Sequence, residues 1–220
     1  MNAYVIGDIH GCYHEFKRLL GRIKPDLTTE RLILLGDYID RGTQSWEVVK
    51  EIISLLEMFG RDHVVPLRGN HEQMAIDYIL CKGKSFLYNG GKETIKSFAR
   101  HGDYLGDYLE FFTSMPLYVE DEKFIYVHGG IRQGVSLSNQ SSEDMLWLRD
   151  EFYEYPNTTD KTVIFGHTPT YYINKTDQPA EIFNNYALDT GCVFGGYLSA
   201  AQICNGKIAR VYQVEKKIAS

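Results

Sequence analysis

Apolar positions along this chain recur in two alternating rhythms. Residues 2–6 form a short apolar run, and after a polar loop Phe16, Leu19, Leu20 and Ile23 return at helical spacing until Lys24-Pro25. The pattern predicts a strand, a loop and a helix. It then repeats, with a strand over 31–35, a loop over 37–42, and Trp46, Val49, Ile52, Ile53 and Leu56 marking a helix that stops at Gly60. A third strand, 63–67, leads into Asn70-His71. Strands alternating with helices imply an α/β fold with substantial parallel sheet. Beyond residue 123 the rhythm changes to short strands at 123–127, 162–165, 186–189, 198–203 and 208–213, which suggests a second sheet with hairpins packed on the first. Between the halves, 78–116 is helical in pattern and rich in Tyr, Phe and Gly. It is expected either to cap a cleft or only to cover the sheet.

A chain of 220 residues suits one well-cored domain spanning 1–220. No apolar stretch reaches the roughly 20 residues of a membrane span, and the amino terminus reads directly into a strand, so a cytoplasmic protein with no membrane partner is expected. A net charge of -6 without a basic run argues against nucleic acid as a partner. Cys12, Cys81, Cys192 and Cys204 lack a C-x-x-C pair and read as reduced thiols, Cys12 with a passive role despite its place beside the first polar loop. A monomer is expected.

The chemistry sits where strands end. Gly7-Asp8-Ile9-His10-Gly11, Gly36-Asp37-Tyr38-Ile39-Asp40-Arg41-Gly42, Gly69-Asn70-His71-Glu72, Val127-His128-Gly129-Gly130 and Phe165-Gly166-His167-Thr168-Pro169 each follow or close an apolar run. Together they supply the ligands of a two-metal phosphate-ester hydrolase, with Asp37 as the bridging carboxylate. Asp8 and His10, two positions apart in an extended strand end, would serve one ion with Asp37. Asn70, His128 and His167 would serve the other. Oxygen and nitrogen donors without thiolate favour Mn, Fe or Zn over Ca. His71, pointing away from Asn70 in an extended loop, would act as general acid, oriented by Asp40. Arg41 and Arg149 would clamp phosphoryl oxygens, and with Asn70 would touch substrate.

Outside these segments the expectations are plain. His14 is a helix-start residue, His63 a strand-start residue and His101 a turn residue. Arg68 is open between a phosphate contact and a strand-end salt bridge. The aromatic residues of 104–112, and Tyr186 and Tyr197, are expected to pack in the core.

The five motifs in this order resemble the metallophosphoesterase superfamily, and within it the PPP branch of serine/threonine phosphatases, including the compact bacterial and lambda-phage type. Trp147-x-Arg149 and Asp189-Thr190-Gly191-Cys192 also resemble that branch. The resemblance spans about residues 4–200. It implies a sandwich of two mixed β-sheets flanked by helices, a dinuclear site usually active with Mn, and direct attack by a bridging hydroxide. It also implies His71 with Asp40 as the acid dyad, and Arg41 and Arg149 as phosphate clamps. The chain is shorter than eukaryotic catalytic cores, which puts regulatory subunits of the eukaryotic kind in doubt.

Three functions compete. The first is hydrolysis of phosphoserine and phosphothreonine in proteins. The second is symmetric hydrolysis of diadenosine tetraphosphate, against which the short chain weighs mildly. The third is a catalytically dead phosphate-sensing scaffold, against which the complete motifs weigh.

Overall fold

The computed structural model describes residues 2–217. Three strand-to-helix units come first: β1 (Ala3–Ile6), α1 (Tyr13–Ile23), β2 (Arg31–Leu34), α2 (Ser45–Phe59), β3 (Val64–Pro66) and α3 (Asn70–Ile79). A helical segment follows, with α4 (Ser85–Tyr88), α5 (Gly91–Arg100) and α6 (Leu109–Thr113). The remaining elements are β4 (Tyr118–Glu120), β5 (Phe124–Val127), α7 (Ser142–Trp147), α8 (Asp150–Tyr153), β6 (Thr162–Phe165), α9 (Thr170–Asn174), β7 (Ala180–Ile182), β8 (Asn185–Ala187), β9 (Tyr197–Cys204) and β10 (Lys207–Glu215).

Two five-stranded mixed sheets result, ordered β10-β9-β1-β2-β3 and β4-β5-β6-β8-β7. In the first, β1, β2 and β3 run parallel and β9 joins β1 antiparallel. In the second, β5, β6 and β8 run parallel between the antiparallel edges β4 and β7. The expectation that all late strands build the second sheet is therefore corrected. β9 and β10 extend the first sheet, because β9 pairs residue for residue with β1, Ala3 opposite Ile203 and Ile6 opposite Ala200.

Strand alternation sorts the buried side chains into three layers. Ala3, Val5, Ile33, Leu35, Phe124, Tyr126 and Ile164 fill the space between the sheets. Their neighbours Tyr4, Ile6, Leu32 and Leu34 face the other way, against Phe16, Leu19, Val48, Val49 and Ile52 of α1 and α2. Ile125, Val127, Val163 and Phe165 meet Met145, Leu148 and Phe152 on the outer face of the second sheet. Strands apolar on both faces are what a helix-covered parallel sheet demands. Phe86, Phe98, Leu105 and Phe112 of the segment 78–116 enter the same cluster as α1 and α2. Arg68 donates to Gln73 Oε1 (3.1 Å) and to the carbonyls of Thr113 (2.6 Å) and Met115 (3.3 Å). It thus ties that segment to β3, which answers neither expectation for it.

Candidate active site

The parallel strands of both sheets end on one side of the sandwich, where the backbone must turn sharply and leave polar side chains facing a common space. Five of these side chains sit on left-handed backbone: His10 (φ 45°), Asp37 (54°), Asp40 (72°), Arg41 (68°) and His167 (63°). Glycines let the loops approach one another. A Cβ at Gly69 would collide with the Asp37 carboxylate, and one at Gly166 with that of Asp8.

Asp37 lies at the centre. Its Oδ1 accepts the His71 backbone N–H (3.0 Å) and stands 3.3 Å from His128 Nε2, while Oδ2 lies 3.3 Å from His10 Nε2 and 3.8 Å from His71 Nε2. It is thus shared by two buried donor groups, His10-Asp37-His71 and Asp37-His128-His167. The imidazole tautomers follow from their partners. Nδ1–H of His10 donates to the Ile39 carbonyl and that of His128 to the Leu35 carbonyl, both at 2.8 Å, so each Nε2 carries a lone pair into the site. Burial holds the His10 and His167 rings well below the usual imidazole range and His128 down to about 4, so all three are neutral near pH 7. Burial pushes the Asp37 carboxyl up to about 7 and raises Asp8, which also feels Asp189 and Asp37.

This donor set fits divalent cations. His128 Nε2 faces the Asn70 amide oxygen at 2.9 Å and Asp37 Oδ1 at 3.3 Å, three acceptors with no donor between them. His167 Nε2 is buried with no hydrogen-bond partner among the described residues. Acceptors that converge with no donor between them are costly unless a cation meets them.

Two local arguments from sequence are corrected. Strand β1 ends at Ile6 and His10 adopts positive φ, so alternation does not pair Asp8 with His10. Instead both Asp8 oxygens accept the His167 backbone N–H, at 3.1 and 3.0 Å. Asn70 and His71 are the first residues of α3 rather than an extended loop, so the turn of the helix separates their side chains.

His71 is almost wholly buried, and its Nδ1–H donates to Asp40 Oδ2 at 2.6 Å. Asp40 is itself fixed by Thr94. The threonine hydroxyl donates to Asp40 Oδ1 (2.6 Å) and accepts the Asp40 backbone N–H (2.8 Å). Burial drives His71 down and Asp40 up, so one proton held along their contact suits both. The Arg41 guanidinium donates to His10 Nε2, and Arg149 Nη1 donates to the His167 carbonyl (3.3 Å) and Thr168 Oγ1 (3.2 Å). Both arginines line a cleft of about 410 Å³ with His167, Asp189, Tyr153, Tyr172 and Phe194.

Several contributors escaped sequence reasoning. Glu72 Oε2 accepts the N–H groups of Asp37 (2.8 Å) and Gly69 (2.9 Å), and Oε1 accepts that of Tyr38 (2.8 Å), clamping the Asp37 loop to the start of α3. Its place inside the third motif was the available signal. Thr94 has no motif around it. Phe194, 65% exposed at the cleft, follows the Asp189-Thr190-Gly191-Cys192 segment but was not singled out. Cys12 and Cys192 are buried together with Glu15, their ligating atoms within 4.8 Å of one another. Of the remaining histidines, His14 lies in the first turn of α1, His63 Nδ1 donates to the Glu30 carbonyl (3.1 Å), and His101 stacks on Trp46 at 3.8 Å between ring centroids.

The model of the calcineurin-like phosphoesterase family matches residues 1–200. An asymmetrical bis(5'-nucleosyl)-tetraphosphatase PrpE of Anoxybacillus flavithermus is 29% identical over 89% of this chain and 88% of its own length. Serine/threonine-protein phosphatase 1 of Salmonella typhimurium is 26% identical over 92% of each chain. Among solved structures, a putative diadenosine tetraphosphatase superposes with a TM-score of 0.73 at 20% identity, covering 99% of this chain and 95% of its own.

Proposed function

This chain belongs to the calcineurin-like metallophosphoesterase family, of PPP type, and from that premise we propose that it hydrolyses dinucleoside polyphosphates. The observation that carries the proposal is the makeup of the cleft. Two arginines able to grip phosphoryl oxygens stand beside the donor set, and exposed aromatic rings, Phe194 and Tyr172, flank them. A base offers a flat face to such rings, and a phosphoserine side chain does not. The relative from Anoxybacillus, asymmetrical in its cleavage and covered over 88% of its length, supports the same reading, and the objection from length bears on symmetrical cleavage alone.

His10, Asp37 and Asp8 would hold one divalent ion, and Asp37, Asn70, His128 and His167 the second; Mn is the metal we propose. Ions there supply charge neutralisation of phosphoryl oxygens and a nucleophile at neutral pH. The rest belongs to side chains of this chain. Arg41 and Arg149 orient the phosphoryl group and offset its charge. His71 would take up a second proton, on Nε2, when the phosphoryl dianion sits beside it and would pass that proton to the departing oxygen, with Asp40 holding Nδ1–H and keeping the ring aimed. Glu72 holds the Asp37 loop in register. The proposal further takes the protein as a cytoplasmic monomer.

Phosphoserine and phosphothreonine hydrolysis, placed first from the sequence, becomes the second reading, favoured by the relative from Salmonella that matches over 92% of each chain. Metal-stripped protein reloaded with Mn, assayed for kcat/KM on diadenosine tetraphosphate and on a phosphothreonine peptide, decides between them. Preference for the dinucleotide is expected. ADP as sole product marks symmetrical cleavage, and AMP with ATP marks asymmetrical cleavage. Preference for the peptide overturns the first reading in favour of the second.

A further inference from the structure

A cavity larger than the catalytic cleft lies beside it. It encloses about 1090 Å³ between the start of α1, the loop after Arg41 and the end of β10. Its walls carry Lys17, Arg18, Lys216 and Lys217 against a single carboxylate, Glu15, which Lys216 already pairs at 3.0 Å. Four cations around one cavity stand out on a chain whose net charge is -6. Lys17 is engaged by Glu51 at 2.7 Å, and Arg18 spends one N–H on the Glu215 carbonyl (3.1 Å), leaving its other donors and the exposed Lys217 ammonium for a ligand.

The cavity and the cleft share a wall. Phe194 lines both, and the Arg41 guanidinium lies 5.4 Å from its ring centroid. Thr43 and Gln44, just past Arg41, line the cavity side. A polyanion seated at the arginines of the cleft would therefore pass Arg41 and Phe194 into a cationic chamber roomy enough for a nucleotide, given that small-ligand sites run from about 300 to 1,000 Å³.

We propose that this chamber is the site for the distal nucleotide of the substrate, the half that does not lie over the donor set. Arg18 and Lys217 would hold its phosphates, and the Phe194 ring would meet its base or ribose. This rests on the dinucleoside polyphosphate reading and deepens it. A substrate without a second anionic half has nothing to place there, so the chamber makes the enzyme selective for long polyphosphates over simple phosphomonoesters.

The test is the double variant R18Q/K217Q, two exposed side chains away from the donor set whose neutralisation leaves the core intact. Kinetics on Mn-loaded protein would compare diadenosine tetraphosphate with p-nitrophenyl phosphate. Loss of charged hydrogen bonds predicts a fall in kcat/KM of about tenfold or more on the dinucleotide, mostly in KM, with the aryl phosphate changed by less than about twofold. Equal effects on both substrates, or none on either, overturn the proposal. If the parent protein prefers the phosphothreonine peptide and leaves the dinucleotide untouched, the parent reading fails on its own. ATP binding by calorimetry then judges the chamber: a Kd weakened about tenfold in the variant sustains a nucleotide site, and an unchanged Kd removes it. A loss confined to phosphopeptides with acidic flanks also overturns the proposal and gives the chamber to an acidic protein segment.

Discussion

Replacing Glu72 tests whether the site depends on a clamp that never touches substrate. The Glu72 side chain is fully buried and accepts three backbone N–H groups, from Asp37, Tyr38 and Gly69, at 2.8 to 2.9 Å. Burial lifts its carboxyl to about 7, with Asp37 adding to the lift and the Tyr38 and Asp37 N–H groups opposing it. Glu72→Ala leaves three donors buried without an acceptor, at about 1 to 3 kcal/mol each, or about 3 to 9 kcal/mol together. Against a total stability of about 5 to 15 kcal/mol, that variant is marginal or unfolded. Glu72→Gln is the finer probe. Its amide oxygen can keep the Asp37 and Gly69 N–H groups, but its NH2 then faces the Tyr38 N–H, and one lost acceptor costs about 1 to 3 kcal/mol. At about 2 to 4 °C per kcal/mol for a chain of this size, the melting temperature should fall by about 2 to 12 °C. Calorimetry with kcat/KM on the same samples reads both effects, and activity should drop with stability because the Asp37 loop loses its anchor. If Glu72→Ala melts within about 1 °C of the parent, the clamp contributes nothing and the reasoning fails.

His71→Asn should cut turnover far more for an alkoxide leaving group than for p-nitrophenolate, which barely needs a proton; equal losses on both would remove His71 from the acid role. Thr94→Val deletes both hydrogen bonds to Asp40, so the same leaving-group dependence is expected in weaker form, about tenfold in kcat, and a uniform loss would mark Thr94 as purely structural. Adding Mn to metal-stripped protein at about 100 times its Kd should stabilise the fold by about 2.7 kcal/mol, visible as a rise in melting temperature that Asp37→Asn abolishes or halves. An unmoved melting curve would count against the donor set. Arg68→Ala should loosen the helical segment from β3, lowering stability by about 1 to 2 kcal/mol by urea denaturation while leaving p-nitrophenyl phosphate turnover within about twofold.

How much of the molecule the residues disclose depends on whether the signal is local. β1, β2 and β6 were legible because an apolar strand buried on both faces reads as an uninterrupted run. β4 and β7 were not. They are three-residue edge strands, Tyr-Val-Glu and Ala-Glu-Ile, with mixed exposure and little to distinguish them from loop. Nor could β9 be assigned to its sheet, since its pairing with β1 closes a contact across nearly the whole chain. In the site, the motif histidines and aspartates announced themselves by type and by their place after strands. Thr94 did not, because its partnership with Asp40 spans 54 positions and a threonine on a helix carries no such sign. The left-handed turn at His10, which breaks strand alternation after Asp8, was likewise hidden, for a left-handed residue other than glycine leaves no mark in composition.

The left-handed conformations of His10, Asp37, Asp40, Arg41 and His167 bear on how such a chain would change over generations. Each holds a side chain where glycine would sit with less strain, by about 1 to 2 kcal/mol. Selection for turnover keeps them; selection for folding alone would not. In a lineage released from the need to hydrolyse anything, these five positions are where drift toward glycine or asparagine should begin, with the layers of apolar side chains beneath them unchanged. A descendant carrying such replacements would be sturdier and silent. The count of them would date its retirement from catalysis better than any change in the core.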